Sequence, residues 1–296
     1  MIGLGVAAAG LAVVALGCAV GGWCDGAPPP ALVATEPAPV PAPVVEVVPI
    51  DPCTPPGPGS DPVELFDRGM VLRVVAPAGY DPTVAHPLIM IFAPAGMTPA
   101  ASERFAEELV VPAGAAGYVL AFAGHMDVGP GSVMQAGGAA AIVAERWCID
   151  RQRVFLVGHS DGGTLVEAVV FLGGDSIPAA AVVASASGMR GSDLRAVDCP
   201  APRPAMIIHS DDDELFPGFG GDVAKRWAVC NRCASSIAGP DRGDGCRTFP
   251  GCPADAQLLF CPVAGRHGRW PGMTETILRF FAEAGGATAP AAPASN

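Results

Sequence analysis

The sequence predicts an α/β domain in which a mostly parallel sheet is covered by helices on both faces. Short apolar runs alternate with helical patterns along the chain, as they do in strand-helix-strand units. The runs "PLIMIF" and "AAAVVA" show no polar alternation, which is typical of strands buried on both faces. Half of the residues are hydrophobic and 16% are charged, a composition that sustains one large core.

The N-terminal region is predicted to lie outside this domain. Residues 1–24 form an uncharged, Ala-, Gly-, Val- and Leu-rich run with the length of a signal sequence or membrane anchor. Within it, "ALGC" resembles a bacterial lipoprotein cleavage box, in which Cys18 would carry the lipid. Residues 25–62 are rich in proline and predict a polyproline-like or disordered tether. We therefore expect an exported protein that contacts a membrane only through this anchor or lipid.

The domain itself is predicted at residues 63–285, followed by a disordered tail at 286–296. Its predicted strands are Val71–Ala76, Leu88–Phe92, Val119–Phe122, Val154–Val157, Ala180–Ser185, Met206–His209 and Leu258–Cys261. Its predicted helices are Ala100–Val111, Gln135–Trp147, Gly162–Leu172, Gly221–Asn231 and Met273–Ala284.

The charge balance excludes one class of partner. The chain carries 17 Lys and Arg against 29 Asp and Glu, a net charge of −12, and has no basic run. A nucleic-acid-binding surface requires clustered positive charge, so no nucleic-acid partner is expected.

The ten cysteines are typical of an oxidising compartment. Cys230 and Cys233 have the spacing of a metal-binding pair, but a zinc site usually combines two such pairs, so we favour disulfides over a metal. Pairing cannot be assigned from the spacing. We expect Cys252 and Cys261 to brace the loop and strand before His267.

A glycine-flanked serine follows one of the buried strands. "GHSDG" stands between the apolar run "VFLV" and the helical pattern "GTLVEAVVFL". At such a corner Ser160 is presented at the carboxyl end of the sheet, and the next backbone N–H, of Asp161, points to a developing oxyanion. The alternative is an ordinary serine in a glycine-rich turn. The flanking strand and helix favour a nucleophile.

A serine nucleophile needs a base and an orienting acid, which follow it in the order acid, histidine in folds with this corner. In "AMIIHSDDDELFP" a strand ends at His209 and acidic residues fill the next loop. In "LLFCPVAGRHGRWPG" another strand leads to His267. The sequence therefore predicts a catalytic triad of Ser160, an acid from the first loop, and His267. The alternative is a solvated charge run and a loop histidine.

Four segments together resemble one enzyme family: "GHSDGG", "HSDDDELFP", "WAVCNRC" and "CRTFPGCPADAQLLFCPVAGRHGRWPG". From about Leu88 onward the chain is similar to secreted polyhydroxybutyrate depolymerases and feruloyl esterases of the α/β-hydrolase superfamily. The resemblance implies an α/β-hydrolase fold, cleavage of carboxylic esters without a cofactor or metal, and a polymer-linked ester as substrate.

The resemblance also implies roles for individual residues. Its acid falls on Asp213, with Asp211 and Asp212 as alternatives, and its histidine falls on His267. Trp270 belongs to a "WPG" segment that often follows the catalytic histidine, and would line the substrate pocket. Packing of Trp270 against the last helix is the alternative.

One segment departs from the family. Members usually carry His-Gly after the third strand, where this chain has "APAGM". Pro94 has no N–H, so the second oxyanion donor must come from Ala95, Gly96 or Met97, and we favour Ala95. This departure leaves two other functions open: a hydrolase-fold surface protein that binds rather than cleaves, and a serine peptidase of the same fold.

Overall fold

The computed structural model describes residues 61–173, 179–236 and 242–286. The predicted anchor with Cys18, nearly all of the predicted tether and nearly all of the tail lie outside the described residues. Among the helices in the described ranges, none is both long and apolar enough to cross a bilayer.

One nine-stranded sheet organises the described chain, in the order β1-β2-β4-β3-β5-β6-β7-β9-β8. The strands are β1 (Val63–Asp67), β2 (Met70–Val75), β3 (His86–Phe92), β4 (Val119–Ala123), β5 (Ile149–His159), β6 (Ala181–Ser185), β7 (Ala205–Ser210), β8 (Arg247–Thr248) and β9 (Leu258–Val263). The six strands from β4 to β9 across the centre pair in parallel, whereas β1, β2 and β8 pair antiparallel at the edges. The carboxyl ends of the parallel strands therefore meet at one edge of the sheet.

Seven α-helices in the described ranges flank this sheet. They are α1 (Pro99–Phe105), α2 (Glu107–Ala115), α3 (Pro130–Ala144), α4 (Asp161–Gly173), α5 (Gly191–Arg195), α6 (Phe219–Cys230) and α7 (Thr274–Ala284). Their buried residues fall into two apolar clusters, one holding side chains of α3, α4 and α6, the other those of α2 and α7. Successive residues of β3 alternate between the clusters, with Leu88 and Met90 in the first and Ile89 and Ile91 in the second. Both faces of the sheet are therefore buried, which explains the unbroken apolar runs.

The predicted α/β architecture is confirmed, with a mostly parallel sheet and helices on both faces. All seven predicted strands and five predicted helical segments are present, with shifted ends. The segment Ala100–Val111 is wrong as a single helix, because Ala106 leaves helical geometry (ψ 27°) and separates α1 from α2. The third helix begins at Pro130 rather than Gln135, since proline fits the first helical turn, where its missing N–H needs no partner.

Three disulfides lie between described residues: Cys199–Cys230, Cys233–Cys252 and Cys246–Cys261. Cys148 is also disulfide-bonded. Cys252 and Cys261 are not bonded to each other: Cys252 bonds to Cys233, three residues after α6, and Cys261 bonds to Cys246, just before β8. Cys230 and Cys233 likewise belong to two separate disulfides, so their spacing does not form a metal-binding thiolate pair. The disulfides are typical of an oxidising, extracellular compartment.

Candidate active site

Ser160 occupies the sharp corner between β5 and α4. Its φ is 57°, in the left-handed region that non-glycine residues seldom adopt. The Ser160 N–H donates to the carbonyl of Ser185 on the neighbouring strand, at 2.9 Å. The corner thus lies at the carboxyl end of the sheet, and the strained conformation is held by the strand beside it.

The glycines around Ser160 are required by close backbone contacts. A Cβ on Gly158 would lie 2.0 Å from the carbonyl oxygen of Gly162, and a Cβ on Gly162 would lie 2.0 Å from that of Phe92. A Cβ on Gly163 would lie 2.6 Å from the carbonyl oxygen of Ser185. The strand, the helix and the end of β3 therefore approach too closely at this corner for any side chain but hydrogen.

The structure brings together the three side chains predicted as a triad. The Ser160 hydroxyl lies 2.7 Å from His267 Nε2, and His267 Nδ1 lies 2.8 Å from Asp213 Oδ2. Asp213 and His267 are 2% and 7% exposed. In this geometry the hydroxyl donates to Nε2 while the Nδ1–H donates to the carboxylate, which is the arrangement that a general base needs.

The loop after β7 holds Asp213 as a carboxylate. Burial opposes ionisation, but hydrogen bonds from the His267 ring and from the Phe216 and Leu215 N–H groups keep the pKa of Asp213 below its ordinary value. Both of these N–H groups bind Oδ1, at 2.8 and 2.9 Å, and leave Oδ2 to the imidazole. The two alternative acids, Asp211 and Asp212, are exposed.

Three side chains hold the backbone of the loop that carries His267. The His267 N–H donates to Glu214 Oε2 at 3.1 Å, and the His267 carbonyl accepts from His159 Nε2 at 2.7 Å. The Ser210 hydroxyl donates to the carbonyl of Gly265. Sequence reasoning assigned no role to His159, Ser210 or Glu214, because side-chain contacts to a distant backbone have no fixed spacing in a sequence.

The "APAGM" segment forms a β-turn beside the Ser160 corner. Met97 N–H donates to the Pro94 carbonyl at 3.3 Å, and Gly96 at the third position has φ 72°, a value that favours glycine. Among the described residues we find no acceptor for the Ala95 N–H, which remains available as a donor. The contact between Gly162 and the end of β3 brings this turn next to the first turn of α4.

His125 links the two sides of this candidate oxyanion site. The backbone N–H of His125 donates to the Met97 carbonyl at 2.7 Å, and the ring Nε2 of His125 lies 3.1 Å from Asp161 Oδ2. His125 follows the end of β4. It therefore connects the turn to the residue whose N–H is the first predicted oxyanion donor.

Trp270 packs beside the candidate triad instead of standing free. Its ring meets Phe105 of α1 edge-on at 5.9 Å, and it joins the apolar cluster on the α2 and α7 face. A different aromatic ring contacts His267, since Phe216 lies edge-on to it with ring centroids 5.0 Å apart. Trp270 also lines a small cavity beside His267, so its role in the substrate pocket stays a prediction.

No protein-family model and no curated protein matches the sequence. Solved structures do match. The acetyl xylan esterase from Aspergillus awamori is 13% identical, with a TM-score of 0.58, and the match covers 75% of this chain and 99% of that chain. A thermophilic esterase from Thermogutta terrifontis, solved with butyrate bound, is 16% identical (TM-score 0.52; 79% and 97% covered). Dipeptidyl peptidase 4 from Porphyromonas gingivalis is 12% identical (TM-score 0.50; 75% and 34% covered). Because the sequence identities are this low, the structural similarity establishes the α/β-hydrolase fold alone.

Proposed function

We propose that this protein is a serine hydrolase that cleaves carboxylic esters through an acyl-enzyme on Ser160. The observation that carries the proposal is the continuous hydrogen-bonded series Ser160–His267–Asp213, with distances of 2.7 and 2.8 Å, at a strained corner of the sheet. A serine that only filled a turn would need neither a buried base nor a carboxylate behind it.

The reaction follows from the contacts of the three side chains. His267 Nε2 removes the Ser160 proton as the serine oxygen attacks the ester carbonyl, and Asp213 stabilises the imidazolium that forms. His267 then returns the proton to the leaving alcohol. A water molecule, activated by the same nitrogen, attacks the acyl-enzyme and releases the acid.

The N–H groups of Asp161 and Ala95 are proposed to hold the oxyanion. The Asp161 N–H lies at the start of α4, where the helix dipole favours negative charge. The Ala95 N–H is supported by the turn from Pro94 to Met97, in which Gly96 takes the positive φ. This turn stands where the resembling family has His-Gly.

An ester carried on a polymer is the proposed substrate class. In the described connection from β6 to β7 the one helix is α5, which has five residues. This connection therefore adds no large cap domain above Ser160. We propose that the lack of a large cap in this connection leaves room for a substrate that extends beyond the reacting bond. The resemblance to polyhydroxybutyrate depolymerases and feruloyl esterases, and the similarity to an acetyl xylan esterase, favour polyester or acylated polysaccharide.

The test is hydrolysis of p-nitrophenyl acetate by the wild type and by Ser160→Ala. We expect the substitution to lower kcat at least about 10³-fold, because the acyl-enzyme can no longer form. Some activity should remain, because the other groups still bind and polarise the ester. Ser187→Ala is the control, because this buried serine follows β6 and its hydroxyl donates a hydrogen bond to the Glu167 carboxyl group. Activity that survives in Ser160→Ala at the wild-type rate would refute the nucleophile.

A substrate panel separates the remaining alternatives. Hydroxybutyrate oligomers, methyl ferulate, acetylated xylan and a dipeptide amide are compared by kcat/KM. The peptidase alternative has one observation in its favour, the similarity to a dipeptidyl peptidase, and predicts that the amide is the best substrate. No turnover of any compound, with tight binding of one polymer, would favour the surface binding protein.

We also propose that the protein is exported, and that it is either secreted after cleavage of its N-terminal region or held at the cell surface through that region. The disulfides support export, because a reducing cytosol would oppose them. Mass spectrometry of the mature N-terminus tests the anchor. An N-terminal Cys18 carrying acyl chains would identify a lipoprotein, and an unmodified intact N-terminus in the cytosolic fraction would contradict export.

A further inference from the structure

One buried histidine beside the candidate triad has no part in the reaction above. His159 directly precedes Ser160 and is 3% exposed. Its Nε2 lies 2.7 Å from the carbonyl oxygen of His267, and its Nδ1 lies 3.0 Å from the Ser185 hydroxyl. The ring therefore connects the ends of two neighbouring strands to the loop that carries the base.

The partners of His159 define its protonation. Burial lowers its pKa to about 4, so the ring is neutral at neutral pH and carries one N–H. A carbonyl oxygen can only accept, so that hydrogen must be on Nε2. Nδ1 then accepts the hydrogen of the Ser185 hydroxyl. The two hydrogen bonds form a directed series from Ser185 through His159 to the His267 carbonyl.

The His267 carbonyl is a sensitive point at which to hold the loop. The carbonyl carbon is bonded to the Cα that carries the imidazole, so a shift of this peptide moves the ring against both Ser160 and Asp213. The neighbouring residues give little rigidity, since Gly265 (φ 120°) and Gly268 flank the histidine closely. The His267 N–H, which belongs to the preceding peptide, is held by the exposed side chain of Glu214, so of these two contacts the one from His159 is the buried one.

We propose that His159 is a positioning residue that fixes the His267 peptide, and with it the imidazole, through its Nε2–H. The catalytic part of this inference rests on the proposed ester hydrolysis. The competing explanation is packing alone, since the His159 ring also lies 5.2 Å from that of Phe105. Packing would depend on ring volume, whereas positioning depends on a donor at Nε2.

Substitutions at His159 separate donor from volume. His159→Gln places an amide N–H near the Nε2 position, His159→Asn places it near Nδ1, and His159→Leu removes it. We expect kcat for p-nitrophenyl acetate to fall about 30- to 100-fold in Leu and Asn and no more than about fivefold in Gln, because small displacements of a reacting group cost about 10²-fold. KM should stay within about threefold, since the His159 ring is 3% exposed and offers little surface to the ester.

His86→Leu is the matched control. His86 is similarly buried, and its Nδ1 lies 3.0 Å from the Gly117 carbonyl oxygen. It is the first residue of β3, so it lies at the opposite end of the parallel strands from Ser160. Its substitution should lower the melting temperature and leave kcat per folded molecule within about twofold of wild type. Serine labelling by a fluorophosphonate counts the competent molecules in each sample.

The downfield proton resonance of His267 Nδ1–H gives a readout independent of turnover. We expect this resonance, visible in the wild type, to be lost or shifted in His159→Leu and retained in His159→Gln. If no ester is hydrolysed by the wild type but the resonance follows this pattern, ester hydrolysis fails and the positioning role stands. An unchanged resonance and kcat in folded His159→Leu, or equal losses in Gln and Leu at equal stability, would overturn the proposal. If Leu does not fold, the contrast between Gln and Asn decides in the same way.

Discussion

Three consecutive aspartates after β7 occupy different environments. Asp211 and Asp212 face solvent, whereas Asp213 is buried against His267 and two backbone N–H groups. Family position favoured the third residue, but the sequence kept all of them open as the acid. Only the fold of the loop, which turns one carboxylate inward, distinguishes them.

Asp213→Asn should lower kcat by about 10³- to 10⁴-fold, as in other triads. Oδ1 would still accept from Leu215 and Phe216, so the amide nitrogen would face His267 Nδ1 as a donor. The imidazole would then have to carry its hydrogen on Nε2, where it cannot accept the Ser160 proton.

Asp212→Asn is the matched control and should retain kcat within about twofold, because the Asp212 side chain is exposed to solvent. Steady-state kinetics with p-nitrophenyl acetate check both variants. Equal losses in the two variants, or a greater loss in Asp212→Asn, would show that the acid is misassigned.

The residues that sequence reasoning missed share one property. His159, Ser210 and Glu214 contact backbone atoms of the loop that carries His267. The proposed triad could be predicted because its residue types follow one another in a required order. Every residue has a backbone carbonyl and nearly every one an N–H, so a side-chain contact to these groups leaves no pattern in the sequence. Such contacts are visible only in the folded structure.

At the scale of elements, the buried strands were the most predictable part of the fold, and its edges were the least. β3 is an unbroken apolar run because both faces of the central sheet are covered. β1 alternates and ends in charge, β8 has two residues and α5 has five, so none of them produces a long apolar pattern. All three lie at an edge of the sheet or in a connection.

Two glycine substitutions, one at the corner between β5 and α4 and one on the surface of α3, should have opposite effects on stability. Gly158→Ala should destabilise the protein by about 3 kcal/mol or more, because its Cβ would overlap the Gly162 carbonyl, which is backbone and cannot give way. Gly138→Ala, on the exposed face of α3 with no atom within 4 Å of the new Cβ, should stabilise it by about 0.5–1 kcal/mol.

Urea unfolding followed by circular dichroism measures both changes. If Gly158→Ala is as stable as the wild type, the close approach of β5 and α4 at this corner is contradicted.

At the scale of the whole molecule, one buried carboxyl makes stability depend on pH. Glu167 of α4 is 0% exposed, and burial raises its pKa to about 8 against a hydrogen bond from Ser187. Between its ordinary pKa of 4.5 and about 8, the unfolded chain releases this proton while the folded chain keeps it. Rising pH therefore favours unfolding over this interval.

Glu167→Gln should remove this dependence, because glutamine reproduces the neutral carboxyl. Relative to the variant, the wild type should lose about 3 kcal/mol of unfolding free energy between pH 5 and pH 8. Urea titrations at several pH values measure the difference. Glu145→Gln, on an exposed residue, should change stability by less than about 0.5 kcal/mol at every pH. Parallel curves for wild type and Glu167→Gln would contradict a neutral Glu167.

The most direct test of the central claim is to identify the residue that becomes covalently modified. The protein is treated with a fluorophosphonate, digested, and its peptides are analysed by mass spectrometry. We predict one phosphonyl group, on Ser160, at a rate that falls at least about 10²-fold in His267→Ala, because the hydroxyl then lacks its base. Modification of another residue, or of Ser160 at an unchanged rate in His267→Ala, would contradict a histidine-activated serine nucleophile.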